Sequence, residues 1–263
     1  MAATMDRYGS RISTARRAAL GSAFASLVLG TLPAGAQAAE AGNGLPARLA
    51  LIYSLLRSGL EIARIEETFE RSGNGYRLLS EARAVGLAAL LARGQGWRRE
   101  SRGTVAATGL RPDQFTDQRG ANPLQRARFD WATNQIRFDR PGTDTTEVDG
   151  EALPPGTTDR LSFPYALAQR AMQPPGLPAG EWEAPMTDGR RVTRYRFTVS
   201  GRETVATPAG AFDTIRVSRV REKDDNATEV WLAAARGMIP VRILVTEPDG
   251  ATFDQVLAQI GGQ

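Results

Sequence analysis

The side chains available for chemistry in this 263-residue chain are essentially oxygen and guanidinium groups, because it contains no histidine and no cysteine. That excludes a Ser-His-Asp triad, a histidine general base and every His-containing metal site. It equally excludes thiol catalysis, disulfides, thiolate metal sites and iron–sulfur clusters. What remains for catalysis is a carboxylate pair of the kind that cleaves glycosides, or carboxylates gathered around a hard cation. Glu66-Glu67, Asp130, Asp188 and Asp224-Asp225 are the candidates. Each is flanked by turn residues or arginine, as surface carboxylates usually are, and none has the spacing of an ion-binding loop. A phosphate-cradling glycine motif is also missing. The expectation is a protein without catalytic residues, cofactor or metal, with a carboxylate-based hydrolase as the weakest alternative.

The candidates for binding are apolar. Gly86 opens Leu87-Ala88-Ala89-Leu90-Leu91-Ala92, a run of good helix formers too short to be stable alone. It reads either as a turn packed on the core or as an apolar flap at the mouth of a ligand cleft. In the second reading Leu87, Leu90 and Leu91 line the ligand. Tyr53, in the first strand of the body, and Trp97, in the strand after the run, complete the candidate ligand-binding set.

The first 38 residues stand apart. Arg7, Arg11, Arg16 and Arg17 form a positive front, residues 18–33 are uncharged, and Ala36-Gln37-Ala38 offers the small residues a signal peptidase reads. The segment is read as a secretory signal cleaved after Ala38. Gly21, Gly30 and Pro33 interrupt it, and it falls short of the roughly 20 apolar residues of a membrane span. No cysteine is available for a lipoprotein anchor. The mature chain is therefore expected in the periplasm without a membrane anchor, with residues 39–263 as a single domain. Residues 39–46 are small and read as a flexible lead-in whose deletion should matter little.

Charge argues against nucleic acid. The sequence pI is about 9.9, but the leader holds four Arg and one Asp. Removing them from 33 basic and 29 acidic residues leaves 29 and 28, a net charge of +1. Arg83, Arg98, Arg99, Arg190, Arg191 and Arg194 are interleaved with carboxylates, which fits a solvated sheet face better than a phosphate-binding stripe.

The elements that must position any site are mostly strands. The apolar run after Arg48 suits a strand covered on both sides. Ile62, Ile65 and Phe69 fall at helical spacing, but Arg71-Ser72-Gly73-Asn74-Gly75 before Tyr76 is a hairpin signal, so both flanks are read as strands. Further strands are expected at Gln95–Val105 and Phe115–Arg119, separated by a turn at Gly109-Leu110-Arg111-Pro112, and in a hairpin around Thr133-Asn134. Leu161, Tyr165, Ala168 and Met172 form one apolar stripe of a helix, with Ser162 placed to cap it and Pro164 tolerated in its first turn. Beyond Asp188-Gly189 a second strand series runs through Tyr195, Phe197, Trp231, Ile243 and Phe253. Pro208 and Gly210 fit the second and fourth positions of a hairpin turn.

Several dispersed pieces, in order, resemble the bacterial domain of unknown function 3108 family. They are Thr207 to Thr214, Trp231-Leu232 and Ile239-Pro240-Val241-Arg242. Tyr53 with Gly59, Tyr76 with Ser80-Glu81-Ala82, and Asp159 with Ser162 and Tyr165 belong to the same pattern. The resemblance covers about Leu49 to Leu257. It implies an exported bacterial protein with a mainly β fold: a curved antiparallel sheet, or incomplete barrel, with one helix packed against it, similar to lipoprotein carriers. It implies no catalytic residue. The favoured function is binding of a lipid, lipoprotein or other apolar ligand in the curved sheet. The alternative is a structural or partner-binding envelope protein that meets another protein or a polysaccharide.

Overall fold

The structure is a computed structural model, described for residues 44–92, 96–106, 108–139, 150–222 and 224–261. The expected signal segment, 1–38, lies outside the described residues. Among those described, strands run outward from the middle of one sheet and then return to it. The outward arm is an antiparallel meander of β1 (Arg48–Arg57), β2 (Leu60–Ser72), β3 (Gly75–Ala84), β4 (Trp97–Ala106), β5 (Gly109–Arg119), β6 (Gln125–Asp130), β7 (Gln135–Phe138) and β8 (Glu151–Ala152). A short strand β9 (Thr158–Asp159) then lies at the opposite edge, parallel to β10 (Glu181–Thr187). The return arm comprises β10, β11 (Val192–Thr207), β12 (Gly210–Arg219), β13 (Ala227–Ala233), β14 (Ile239–Thr246) and β15 (Thr252–Ile260). β15 pairs with β1, so the first and last strands meet in mid-sheet. Edge strands β8 and β9 do not pair with each other, and the sheet stays open.

Period-2 burial explains why these segments are strands. In β2, Ala63, Ile65, Glu67 and Phe69 are buried while Arg64 and Glu66 are exposed, so the helical spacing of Ile62, Ile65 and Phe69 is incidental. The expected hairpin follows, with Ser72 opposite Gly75 and Gly73 at φ +58°. At the other predicted turn Thr207 faces Gly210, whose φ of +129° disfavours a side chain. One expectation is corrected: Gly109 to Pro112 is not a turn but the start of β5, paired with β4. Pro112 is tolerated because β6 pairs with β5 only from Gln114 to Asp117, leaving no ladder donor to lose on that side. Its carbonyl accepts the Trp131 indole N–H at 2.7 Å.

Among the described residues two α-helices accompany the sheet, α1 (Gly86–Ala92) and α2 (Phe163–Ala171). Helix α2 packs against both β5 and β14, and β9 also reaches β5. The two arms of the sheet therefore curl around the same helix. The predicted stripe of Leu161, Tyr165 and Ala168 enters the larger core cluster, with Met172 at its margin. A second face carries Phe163 and Leu167 into a separate cluster with Phe197, Val217, Val230 and Leu232. Phe163 and Phe197 have ring centroids 4.6 Å apart. The helix is thus buried from Phe163 through Gln169, where one stripe was expected.

The lead-in reading also needs correction at its end. Residues 39–43 lie outside the described residues, but Leu45 is buried, and its N–H donates to Gln169 Oε1 at 3.0 Å. Leu45 is thereby pinned to α2. Leu45→Ala should lower stability by roughly 2–4 kcal/mol, read from the urea midpoint. An unchanged midpoint would show that the segment is dispensable, as its composition implies.

Candidate functional site

The inner face of the outward arm carries a row of polar side chains. Cross-strand register sets Glu67 on β2 beside Ser80 on β3, Ser80 beside Arg99 on β4, and Arg99 beside Asp117 on β5. Directly opposed residues point to the same face, so all four look towards α2. Buried polar groups need partners, and these have them. The Tyr165 hydroxyl donates to Glu67 Oε2 at 2.7 Å, and Ser80 and the Gln255 amide donate to Oε1 at 3.1 and 3.4 Å. Asp117 takes Arg119 at 2.9 Å, Arg99 at 3.3 Å and Arg160 at 3.9 Å.

A second network holds the start of α2. Asp159 is fully buried. Its Oδ1 accepts the backbone N–H groups of Leu161 and Ser162 at 2.9 and 2.8 Å, and its Oδ2 accepts the hydroxyls of Ser101 and Ser162 at 2.6 and 2.8 Å. Ser162 therefore does not cap α2 as expected. Its helical backbone leaves its hydroxyl without a capping bond, and that hydroxyl turns instead to Asp159, which also accepts the N–H groups of Leu161 and Ser162 just before the helix. Tyr76 shares the Ser101 hydroxyl at 2.8 Å, and Tyr53 donates to the Pro240 carbonyl at 2.7 Å. Phe69 stacks between Tyr76 and Tyr165, each centroid 6.0 Å away.

Electrostatics separates the three buried carboxylates. Burial raises the pKa of Glu67 despite its three donors, and burial likewise raises that of Asp159. Burial works in the same direction on Asp117, but hydrogen bonding from Arg119 and the charges of Arg99, Arg119 and Arg160 hold it below the ordinary aspartate value. Two readings are corrected here. Glu67 is not a surface carboxylate, because alternation along β2 turns it inward with Ile65 and Phe69. Arg99 is not on a solvated face, because it shares the inward side of β4 with buried Ser101.

Beside these networks, between α2 and the return arm, lies a half-open cleft of about 350 Å³. Its walls include Leu161, Phe163, Pro164 and Tyr165 around the start of α2. Across from them stand Met186, Thr193, Tyr195, Phe197, Thr228, Val230, Ile243 and Val245. Polar groups enter at Arg160, Asp188, Arg191, Arg219 and Asn226, and Glu67 and Gln255 contribute where the outward and return arms meet. Among the described residues no three carboxylates gather into a set that could hold a metal ion.

The residues singled out from sequence are not brought together at this cleft. Leu87 and Leu90 are 74% and 76% exposed on α1, which packs on β2 and β3, so the turn-on-core reading does not describe them. The side chain of Leu91 lies outside the described residues. Tyr53 is fully buried with its hydroxyl engaged, and Trp97 is half-buried on the inner face of β4 with the Arg99 guanidinium 5.4 Å from its ring centroid. Leu87, Leu90, Tyr53 and Trp97 do not line the cleft. Most of the lining residues come from the return arm, where alternation alone does not separate a cleft wall from a filled core.

An open, mainly antiparallel sheet, curled around one buried helix and leaving a cleft beside it, is the class of protein these features define. The chain belongs to the family described as protein of unknown function (DUF3108), whose model matches residues 50–256. The residues that carry the sequence resemblance gather around α2: Tyr76, Ser80, Asp159, Ser162 and Tyr165 lie in the two polar networks, and Tyr53 meets Pro240 of the Ile239–Arg242 segment. No curated protein matches the chain. Among the solved structures similar to it are two from the genera Parabacteroides and Bacteroides. One, a candidate lipoprotein from Parabacteroides distasonis, is 9% identical with a TM-score of 0.35, covering 83% of this chain and 97% of that one. The other, a candidate exported protein with YmcC-like fold from Bacteroides fragilis, is 12% identical with a TM-score of 0.32 at the same coverages.

Removing the Asp159 carboxylate leaves two N–H groups without this acceptor and takes one partner from each of two hydroxyls. Asp159→Ala should cost roughly 3–5 kcal/mol and Asp159→Asn clearly less, since the amide oxygen still accepts the N–H groups. Equal losses in urea titrations would show that these hydrogen bonds are not what holds α2. For Glu67 the folded pKa lies above the unfolded one. The folded state then binds more protons between the two values, and stability falls as pH rises through that window. The stability of Glu67→Gln relative to the parent should therefore increase from about pH 4 upward and level off above the raised pKa. A pH-independent difference in paired denaturation curves would contradict this.

Proposed function

We propose that this is an exported envelope protein that binds an apolar ligand in the cleft between α2 and the return arm, and that it acts by binding, without catalysis. The observation that carries the reading is the cleft itself. It lies within the roughly 300–1,000 Å³ typical of small-molecule sites, with aromatic and aliphatic walls and a few polar groups. Export to the periplasm is supported by the arginine-led, uncharged leader ending at Ala36-Gln37-Ala38. Glu67, Asp117 and Asp159 each already have partners, which supports a structural use of these carboxylates over acid–base chemistry. A second reading, a partner-binding surface, is favoured by Leu60, Leu87 and Leu90, which stand exposed at the start of β2 and on the helix packed against it.

The test is titration of an uncharged naphthylamine probe into the purified mature protein, followed by fluorescence. Saturable binding is expected. Thr228→Trp, which places bulk in the cleft, should weaken it at least about tenfold, whereas Leu90→Asp should change neither binding nor melting temperature. Absence of saturable binding would remove the apolar-ligand reading. Loss through Leu90→Asp alone would move the ligand to α1. Native mass spectrometry of protein isolated gently from its own periplasm separates the two readings: a retained lipid mass supports the first and a co-purifying protein the second.

A further inference from the structure

We propose that the cleft accepts an amphiphile with one apolar chain and one anionic headgroup, a carboxylate or a phosphate. The inference rests on the apolar-ligand reading above and adds the charge of the ligand.

Positive charge is in excess where the chain enters α2. Asp117 serves Arg99, Arg119 and Arg160 together. Asp188 takes Arg160 at 3.4 Å, and its Oδ1 also accepts the backbone N–H groups of Arg190 and Arg191. The Arg191 guanidinium, exposed on the cleft lining, has no carboxylate partner among the described residues. Four guanidinium groups, those of Arg99, Arg119, Arg160 and Arg191, are thus set against two carboxylates. The other arginine of the lining adds no such excess, because Arg219 pairs with Asp225 and lies over the Tyr195 ring, 3.9 Å from its centroid.

From this charged end the cleft becomes apolar. From Arg191, immediately before β11, the lining passes along that strand through Thr193 and Tyr195 to buried Phe197, which packs with Val230 and Phe163. Glu67 does not cancel the excess, since three donors already occupy it and burial favours its neutral form. A ligand with a chain at the Phe197 end and an anion at the Arg191 end matches both halves of this gradient. An uncharged chain uses only one, and a cationic chain is opposed by the other.

Displacement of the uncharged probe from the mature protein tests this, using dodecanoate, dodecyl phosphate, dodecanol and dodecyltrimethylammonium below their micelle concentrations. Dodecanoate or dodecyl phosphate should bind about tenfold more tightly than dodecanol, with the advantage shrinking in high salt. Preference between these two distinguishes a fatty-acid-type from a phospholipid-type headgroup, and either supports the proposal. Arg191→Gln should weaken anion binding roughly three- to tenfold and leave dodecanol unchanged. Arg190→Gln, outside the lining, should change neither. Equal affinity for anionic and uncharged chains would overturn the charge inference while leaving the apolar-ligand reading intact. An anion preference that survives Arg191→Gln undiminished would overturn the assignment to this end of the cleft. If no chain and no probe binds saturably, both readings fall.

Discussion

Burying the segment that leads into α2 inside a curved sheet puts its peptide N–H groups where water cannot satisfy them, and the rest of the structure depends on how that is resolved. Asp159 takes two of those groups with one oxygen and ties the other to hydroxyls of Ser162 and Ser101, the latter on β4 of the outward arm. A carboxylate in this position is stable only because all four bonds are made, since each donor left unpaired in the interior would cost more than a bond typically contributes. Tyr165, one turn into the helix, repeats the device by donating to Glu67 on β2. Helix and outward arm are thus joined by directional bonds.

The contacts with the return arm are of another kind. Phe163 and Leu167 meet Phe197, Val217, Val230 and Leu232 through apolar surface, which specifies area more than orientation. The cleft opens on this side, beside the helix start. The inward row of Glu67, Ser80, Arg99 and Asp117 explains the charged end of the cleft: a row of interior polar groups recruits arginines, and the carboxylates available there are outnumbered by them.

Much of the architecture was legible along the chain. Alternation in β2 and β11, the hairpin residues around Gly73 and Gly210, and the breaks at Asp188-Gly189 all report local backbone preferences, which a sequence displays directly. Pro112 misled because proline commonly marks a turn, and only the stagger of β6 against β5 reveals that its missing N–H costs no ladder bond. The site was much less legible. Leu87 and Leu90 drew attention as an apolar run, yet an apolar run does not say which element lies over it, and here none of the described cleft lining does. Arg191 looked like one more surface arginine, because the supply of carboxylates around it depends on strands far away in sequence.

By itself the sequence determined the β-rich class, the single helix of consequence, the family, and the chemistries that a chain without histidine or cysteine lacks. These follow from side-chain inventory and from short-range periodicity. Only the tertiary structure decided that Glu67 and Arg99 turn inward, that Asp159 holds the helix start, and that a cleft remains between α2 and the return arm. The physical reason is that burial and charge balance are properties of neighbourhoods. The neighbourhood of α2 is assembled from strands that alternation can identify but whose curling around one helix no local pattern encodes.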